Sequence, residues 1–190
     1  PAGTALKDGK ATEKTYQEEY KLVGYFGRIN YNYQGKYYLS ASIRHEGSSK
    51  FGADHKWGTF PAVSIGWNLK EESFLKNVNF LSFLKLRAGY GITGTIPGNP
   101  YLSLNTLDLG GYGYYGGQWT TLLRASSNPN PDLRWEKKKE TNIGLDFAFF
   151  NDRISGSIDW YNRDTDDLIW DYTVSVPPYV KNTITANAGS

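Results

Sequence analysis

Cysteine is missing from the sequence, and so are a large net charge and a long apolar run. The absence of cysteine from the 190 residues excludes disulfides, thiolate metal sites and thiol nucleophiles. The formal net charge of only +2 gives no electrostatic reason to expect nucleic-acid binding. No apolar segment approaches the roughly 18 residues of a membrane helix. Helical membrane spans are therefore excluded, whereas the strands of a membrane barrel, which need only about 9–11 residues, are not.

Aromatic residues and glycine, in contrast, are abundant. Aromatic side chains make up 16% of the chain and hydrophobic residues 39%, with 15 tyrosines and 21 glycines. This is enough apolar surface to cover one face of a sheet, so the composition excludes a disordered chain. The mean hydropathy of −0.56 is compatible with an outer-membrane barrel, whose interior, turns and loops are polar.

The clearest pattern is a pair of strands within residues 128–164. From Thr141 apolar and polar residues alternate, the chain turns at 151–153, and the alternation resumes at Ile154. A period of two is the signature of strands with one apolar and one polar face. The apolar face carries Thr141, Ile143, Leu145, Phe147, Phe149, Ile154, Ile158 and Trp160. The opposite face is small or polar, which suits a water-filled interior better than a packed sandwich core.

Two further strand pairs repeat this design. They are residues 20–33 with 37–46, and residues 57–69 with 83–93. Pro61 lies inside the third strand and demands a bulge, an edge position or a missing ladder bond. The remaining segments are predicted as a polar loop at 1–19, a longer turn with a short helical piece at 70–82, a long irregular loop at 94–132, a partial strand at 169–176, and the start of another strand within 179–190.

The connections largely alternate in length. They are short at 34–36 and 151–153 and longer at 47–56, 94–132 and after 164, with 70–82 as an intermediate exception. Outer-membrane barrels place short turns on the periplasmic side and long loops outside, which predicts that 94–132 is extracellular.

Aromatic residues lie near the strand ends on the apolar faces, as in the two girdles of a membrane barrel. They are Tyr25, Tyr33, Tyr37, Trp57, Trp67, Phe149 and Trp160. Strands of soluble sheets also favour tyrosine and tryptophan, so the aromatics alone do not separate the two classes. The small and charged opposite faces favour the barrel.

Three longer motifs carry a family resemblance. They are GYFGRINYNYQGKYYLSASIRHEGSSKFGADHKWGTFPAVSIGWNLKEESFL at 24–75, FLKLRAGYGITGTIPGNPY at 83–101, and NPDLRWEKKKETNIGLDFAFFNDRISGSIDWYNRDTDDLI at 130–169. Together, in this order, they resemble the C-terminal half of the barrel in SusC/RagA-type TonB-dependent outer-membrane transporters of Bacteroidetes. The likeness covers most of the chain from about Gly24 to Ile169.

The resemblance implies an all-β fold, an antiparallel up-and-down transmembrane β-barrel of 22 strands with a plugged lumen. Residues 1–190 would form part of this one domain, with about six or seven strands and with the plug domain outside the chain. The location implied is the Gram-negative outer membrane, in contact with lipid and lipopolysaccharide. The function implied is import of oligosaccharides or peptides, with a SusD-like surface lipoprotein as lid and with the TonB complex acting through the plug.

Nothing in the sequence supports catalysis, a metal or a cofactor. His45 and His55 have no serine or cysteine arrangement that would complete a triad. Asp164, Asp166 and Asp167 lack the glycine and the terminal glutamate of an EF-hand loop. The glycine pattern GYGITG at 89–94 does not precede a helix, so it does not predict phosphate binding. The chain is predicted not to be an enzyme.

Two sets of residues are candidates for binding. Aromatic rings in the long loop are predicted to stack on sugar or to pack against a lid protein, the alternative being packing into neighbouring loops; they are Tyr112, Tyr114, Tyr115 and Trp119. Charged residues predicted to face the lumen are Arg28, Arg44, Glu46, Arg87, Glu140, Asp146 and Asp159. These charges are expected either to pair with the plug or simply to line a wet wall. Trp135 is expected to anchor the chain near the membrane boundary.

The main alternative function is a soluble β-rich carbohydrate-binding module whose aromatics form a sugar platform. A β-sandwich hydrolase is a third hypothesis, and the sequence lacks the residues for it.

Overall fold

A six-stranded antiparallel sheet dominates the computed structural model, which describes residues 5–7, 10–12 and 17–189. The strands in chain order are β1 (Ala5–Lys7), β2 (Lys10–Thr12), β3 (Leu22–Tyr33), β4 (Tyr37–Ser48), β5 (Trp57–Asn68), β6 (Leu81–Thr95), β7 (Leu107–Tyr115), β8 (Gln118–Ala125), β9 (Glu136–Phe149), β10 (Ile154–Asp166), β11 (Ile169–Thr173) and β12 (Thr183–Asn187). The main sheet has the order β10-β9-β6-β5-β4-β3. Within it, neighbours in space follow one another along the chain except where β7 and β8 intervene, so the predicted up-and-down antiparallel architecture is confirmed.

The register of the sheet gives each face a separate composition. Residues directly opposite each other in an antiparallel pair share a face. One row across all six strands consists of Tyr31, Leu39, Ile65, Ala88, Ile143 and Trp160. An adjacent row on the other face consists of Asn30, Ser40, Ser64, Gly89, Asn142 and Tyr161. The predicted apolar and polar faces of the six strands are therefore confirmed.

The apolar face has no covering layer among the described residues. Ile29 is 72% exposed and Ile158 is 65% exposed, although both belong to the apolar stripe. The chain has 13871 Å² of accessible surface, whereas a monomeric protein of 21.4 kDa has roughly 9,100 Å². The sheet is thus built to be covered by something other than this chain.

The connections at the two ends of the strands differ in length, and these ends of the sheet are named the short-turn edge and the long-loop edge. On one edge, residues 34–36 and 150–153 are tight turns, and the intermediate connection contains a 3₁₀ helix at Leu69–Glu71. On the other edge lie the loop between β4 and β5, the long connection between β6 and β9, and the segment after β10. In the described ranges no helix has the length and the hydropathy needed to cross a membrane.

The long connection differs from its prediction. Residues 94–132 were expected to be irregular, but β7 and β8 pair within them as a hairpin. The N-terminal segment also differs, because β1 and β2 pair inside the predicted polar loop 1–19. The rest of residues 1–16 lies outside the described residues, and the extracellular position of 94–132 stays a prediction.

At the long-loop edge, residues of the loops and of β5 form a small core, the loop core, made of Phe51, Phe60, Leu133 and Trp135. The Trp135 ring lies 4.9 Å from the Phe51 ring and 5.1 Å from the Phe60 ring, and its indole N–H donates to the carbonyl of Lys56 at 2.9 Å. Trp135 is only 3% exposed. The prediction that it anchors the chain at the membrane boundary is therefore wrong, since it packs inside the loops instead.

The loop core lies where β5 and β6 stop pairing. The β5–β6 ladder ends at Ala62 and Gly91, although both strands continue beyond these residues. Pro61 directly adjoins the last pair and has no N–H to donate, which fits the predicted missing ladder bond. A side chain at Gly94 would lie 2.2 Å from the Phe60 ring, so glycine is required for Phe60 to lie against β6.

Asparagine side chains fasten the β11–β12 hairpin to the strand-entry segment at 128–136. The Asn128 amide donates to the carbonyls of Lys181 and Thr183 at 2.6 and 2.8 Å, and its oxygen accepts from the Val180 and Lys181 N–H groups. Asn187 accepts from the Arg134 N–H and donates back to the Arg134 carbonyl. The loops at this edge are thus joined by buried apolar contacts and by hydrogen bonds to the backbone.

Candidate functional site

Charged side chains on the polar face pair with one another across neighbouring strands. The Arg87 guanidinium on β6 donates to both oxygens of Asp146 on β9, at 2.7 and 2.8 Å, and to Asp159 on β10 at 3.0 Å. A fork-to-fork arrangement of this kind is stronger and more directional than a single ion pair. Arg87 therefore links β6, β9 and β10 at one level of the sheet.

The glycine opposite Arg87 makes this arrangement possible. Gly144 stands between Arg87 and Asp159 in the register of the sheet. A Cβ atom at Gly144 would lie 2.3 Å from the Asp159 carboxylate and 2.7 Å from the Arg87 guanidinium. Because Gly144 has no side chain, the ion pairs of Arg87 can occupy the space directly above it.

The remaining charged candidates lie on the same face. Arg163 donates to one Glu140 oxygen at 2.9 and 2.6 Å, and Arg44 pairs with Glu46. The Arg28 guanidinium lies 5.1 Å from the centre of the Phe26 ring. Among the described residues no cluster of three acidic or histidine side chains could hold a metal ion. Contact of these charges with a plug stays a prediction.

Stacked aromatic rings lie on the apolar face near both ends of β3, β4 and β5. At the long-loop edge the His45 and Tyr25 rings stack on Trp57, at 4.9 and 6.2 Å. At the short-turn edge Tyr37 stacks between Tyr33 and Trp67, at 6.4 and 6.3 Å. From Tyr25 to Tyr33 the strand advances about 26 Å at about 3.3 Å per residue. In a barrel whose strands tilt by about 35–45°, this length spans about 18–21 Å of height, which is most of an apolar band about 25 Å tall.

Glu72 in the 69–80 connection holds the ring cluster at the short-turn edge. Its carboxylate accepts the Tyr37 hydroxyl at 2.6 Å, the Trp67 indole N–H at 3.1 Å and the Lys36 ammonium at 3.4 Å. The hydrogen bond from Tyr37, followed by that from Trp67, lowers the pKa of Glu72 below its ordinary value. The polar ends of both rings are therefore fixed by the protein itself.

We expect Glu72→Gln to reduce the acid sensitivity of the full-length protein. Because the folded-state pKa of Glu72 is lowered, its contribution to stability is present above the unfolded-state pKa of about 4.3 and is lost as the pH falls through the folded-state value. Glutamine has no such titration. Thermal unfolding of both proteins between about pH 6 and pH 3 measures the difference. The exposed neighbour variant Glu71→Gln serves as control, and a wild-type-like pH profile for Glu72→Gln would contradict the role assigned to Glu72.

The β7–β8 hairpin carries the aromatic candidates of the long loop. Its tip is formed by Gly116 and Gly117, whose φ angles of 61° and 82° are those of a tight hairpin turn that glycine favours. Tyr112 and Tyr114 share one face with Trp119, whereas Tyr115, opposite Gln118, points to the other. The four predicted rings are therefore divided three to one.

Leucines extend the three-ring face, and the sequence prediction missed them. The face of the hairpin that carries the three rings consists of exposed large side chains, with Thr121 between them; they are Leu107, Leu109, Tyr112, Tyr114, Trp119 and Leu123. The Tyr114 and Trp119 rings meet edge to face, with centroids 5.5 Å apart and planes at 65°. Rings at this angle do not form the flat platform that would stack on a sugar. Alternation of Leu107, Asp108 and Leu109 was the available signal for this face.

Sequence comparison relates the chain to receptors of one family. Residues 1–190 match the family described as TonB dependent receptor-like, beta-barrel. The chain is 43% identical over 190 residues to TonB-dependent receptor SusC of Bacteroides thetaiotaomicron, a match covering 96% of this chain and 19% of that protein. It is 38% identical to TonB-dependent receptor P39 of Formosa agariphila, covering 94% of this chain and 17% of that protein.

Solved structures agree with the sequence comparison. The RagAB peptide importer in its closed-closed state superposes with a TM-score of 0.78 at 30% identity, over 90% of this chain and 18% of that chain. Its open-open state gives a TM-score of 0.75 at 29% identity, over 88% and 18%. The chain thus spans about a fifth of the length of these relatives. It belongs to the TonB-dependent receptor β-barrel family and forms part of a barrel of the SusC/RagA type.

Proposed function

We propose that this chain forms wall and extracellular loops of an outer-membrane TonB-dependent transporter that imports oligosaccharides or peptides with a SusD-like lipoprotein. The observation that carries the proposal is the two-faced sheet. One face is apolar, uncovered and bounded by aromatic rings at both edges, while the other is small and ion-paired. Such a sheet fits a wall with lipid on one side and water on the other. Open sheet edges are not tolerated in lipid, so further strands complete the barrel.

Of the two cargo classes, the relatives described above name one, peptides. SusC is named as a TonB-dependent receptor, and RagAB is described as a peptide importer. In the proposed transporter a plug outside this chain couples the barrel to the TonB complex. The ion pairs of Arg87 and Arg163 lie on the wall that such a plug would face.

The soluble carbohydrate-binding module explains the structure less well. Such a module would leave Ile29, Ile65 and Ile158 exposed to water on a wide apolar face, which favours aggregation. The edge-to-face rings of Tyr114 and Trp119 also lack the flat geometry of a sugar platform.

Uptake by whole cells tests the proposed function. Cells with and without the full-length gene are given labelled oligosaccharides in one series and labelled peptides in another, and the protein is located by membrane fractionation. We expect the protein in the outer membrane and loss of uptake of one cargo class in the deletion strain. A protein recovered in the soluble fraction, or unchanged uptake of both classes, would overturn the proposal.

The hairpin face is proposed as a contact for the lipoprotein partner. Exposed apolar faces rimmed by polar residues mark protein interfaces, and tryptophan and tyrosine dominate their energetics. We expect Trp119→Ala to weaken co-purification of the lipoprotein with the full-length transporter by at least about tenfold in affinity. Trp170→Ala is the matched control, because Trp170 is similarly exposed on β11. Equal loss in both variants, or no loss in either, would remove the hairpin from the interface.

A further inference from the structure

A groove crosses the apolar face near the short-turn edge of β3 to β6. It has a volume of about 420 Å³ and is lined mostly by residues of the apolar face, with Tyr38 and Gly66 also in its wall; the apolar-face residues include Tyr31, Tyr37, Leu39, Ile65, Trp67 and Leu86. Its position lies just inside the row of rings formed by Tyr33, Tyr37 and Trp67. The groove therefore lies on the apolar face of the sheet, opposite the face that carries the ion pairs of Arg87 and Arg163.

The shape of the groove follows from residue size. Ala88 lies beside Ile65 in the register, with Leu86 two residues away on the same face. The stacked Tyr37 and Trp67 rings stand on one side. A small side chain beside large rings leaves a slot whose walls offer carbon atoms and almost no hydrogen-bonding groups. Neither a sugar nor a peptide backbone could satisfy its polar groups there.

The end of the groove toward the 69–80 connection is polar. The Tyr37 hydroxyl and the Trp67 indole N–H are both used by Glu72. The Lys36 ammonium contacts Glu72 at 3.4 Å, which occupies one of its three N–H donors. Lys36 is partly exposed, so an ion pair whose ammonium keeps unused donors stands at the polar end of an apolar slot.

We propose that this groove binds one phospholipid of the periplasmic leaflet, with an acyl chain in the slot and the phosphate at Lys36. The apolar walls match a hydrocarbon chain, and the adjacent Lys36 ammonium and Glu72 carboxylate match the phosphate and the ammonium of a zwitterionic head group. The position beside the short turns selects the periplasmic leaflet, because the lipopolysaccharide of the outer leaflet lies at the opposite edge. The inference rests on the proposed function in one respect, which is that the apolar face lies in lipid.

Native mass spectrometry of the full-length transporter tests the site. The protein is purified in detergent, stripped of lipid, and titrated with phosphatidylethanolamine as the probe. We expect one phospholipid to bind more tightly than the rest in the wild type. Ala88→Phe fills the slot and is expected to weaken that binding roughly tenfold, comparable with losing the burial of about two methylene groups. Ala41→Phe, the same change one row away on the same face, is expected to leave it unchanged.

A second variant tests the polar end. Lys36→Gln is expected to weaken binding of the same probe while Ala41→Phe does not. Equal phospholipid binding by wild type and Ala88→Phe, or equal loss in Ala88→Phe and Ala41→Phe, would overturn the site. Preferential retention of lipid A would overturn the choice of leaflet. Fractionation and cargo uptake are measured on the same proteins, so a wild type that reaches the outer membrane and imports cargo but binds no phospholipid more tightly than the rest refutes the groove alone.

Discussion

Replacing Leu145 with arginine is expected to destabilise the full-length transporter by roughly 2–4 kcal/mol if the site lies near the bilayer midplane. Leu145 occupies the middle of the apolar residues of β9, directly between Leu86 on β6 and Ile158 on β10. A guanidinium there would have to enter hydrocarbon or drag water with it. The free energy of unfolding, from urea titrations of the protein folded into phospholipid vesicles, measures the cost.

The matched control places the same charge on the other face of the same strand. Asn142 lies opposite Gly89 and Tyr161 on the polar face. Asn142→Arg is expected to change the unfolding free energy by only about 0.5 kcal/mol, because water surrounds that side chain. A mild effect of Leu145→Arg together with a large effect of Asn142→Arg would mean that the two faces have been assigned in reverse.

The strands and their faces could be predicted because the physics that sets them is local. A period of two recurs in each of the six strands, and the pleat alone decides which residues share a face. The turn at 34–36 has positive φ angles at Gln34 and Gly35, as the glycine indicated. The pairing of each strand with its sequence neighbour then follows from short turns.

The alternation of residues did not predict the β7–β8 hairpin, because apolar residues lie on both of its faces. Tyr115 is 85% exposed on one face and Trp119 is 72% exposed on the other. Glycines at 110, 111 and 113 interrupt the alternation, and the bulge between Leu109 and Tyr112 shifts it. The Gly116-Gly117 pair was the turn signal, which gains weight only when the flanking residues are read as short strands.

The loop core escaped prediction for a different reason. Phe51, Leu133 and Trp135 come from two loops that lie far apart in the sequence, and irregular segments have no period that marks a buried face. Burial of these residues depends on how β5 and β6 separate where their ladder ends, at Ala62 and Gly91. That separation is a property of the whole sheet. The charged wall shows the same limit: alternation places Arg87 on the polar face, but only the register brings Asp146 and Asp159 to it.

Replacing Trp135 with alanine is expected to lower the free energy for opening the loop core by about 3–5 kcal/mol. The change removes the contacts with Phe51 and Phe60 and leaves the Lys56 carbonyl without its indole donor. An unpaired buried carbonyl adds to the cost of the cavity. Because the Gly52 N–H donates to the Leu133 carbonyl across this core, hydrogen exchange at Gly52 in the full-length transporter reports the opening directly.

Trp119→Ala is the control for this prediction, since it removes the same side chain from an exposed hairpin. We expect exchange at Gly52 to stay at the wild-type rate in Trp119→Ala and to rise by at least about a hundredfold in Trp135→Ala. Limited proteolysis should then cut residues 49–56 in the Trp135 variant first. Slow exchange at Gly52 in both variants would show that the buried indole is not what holds the loops together.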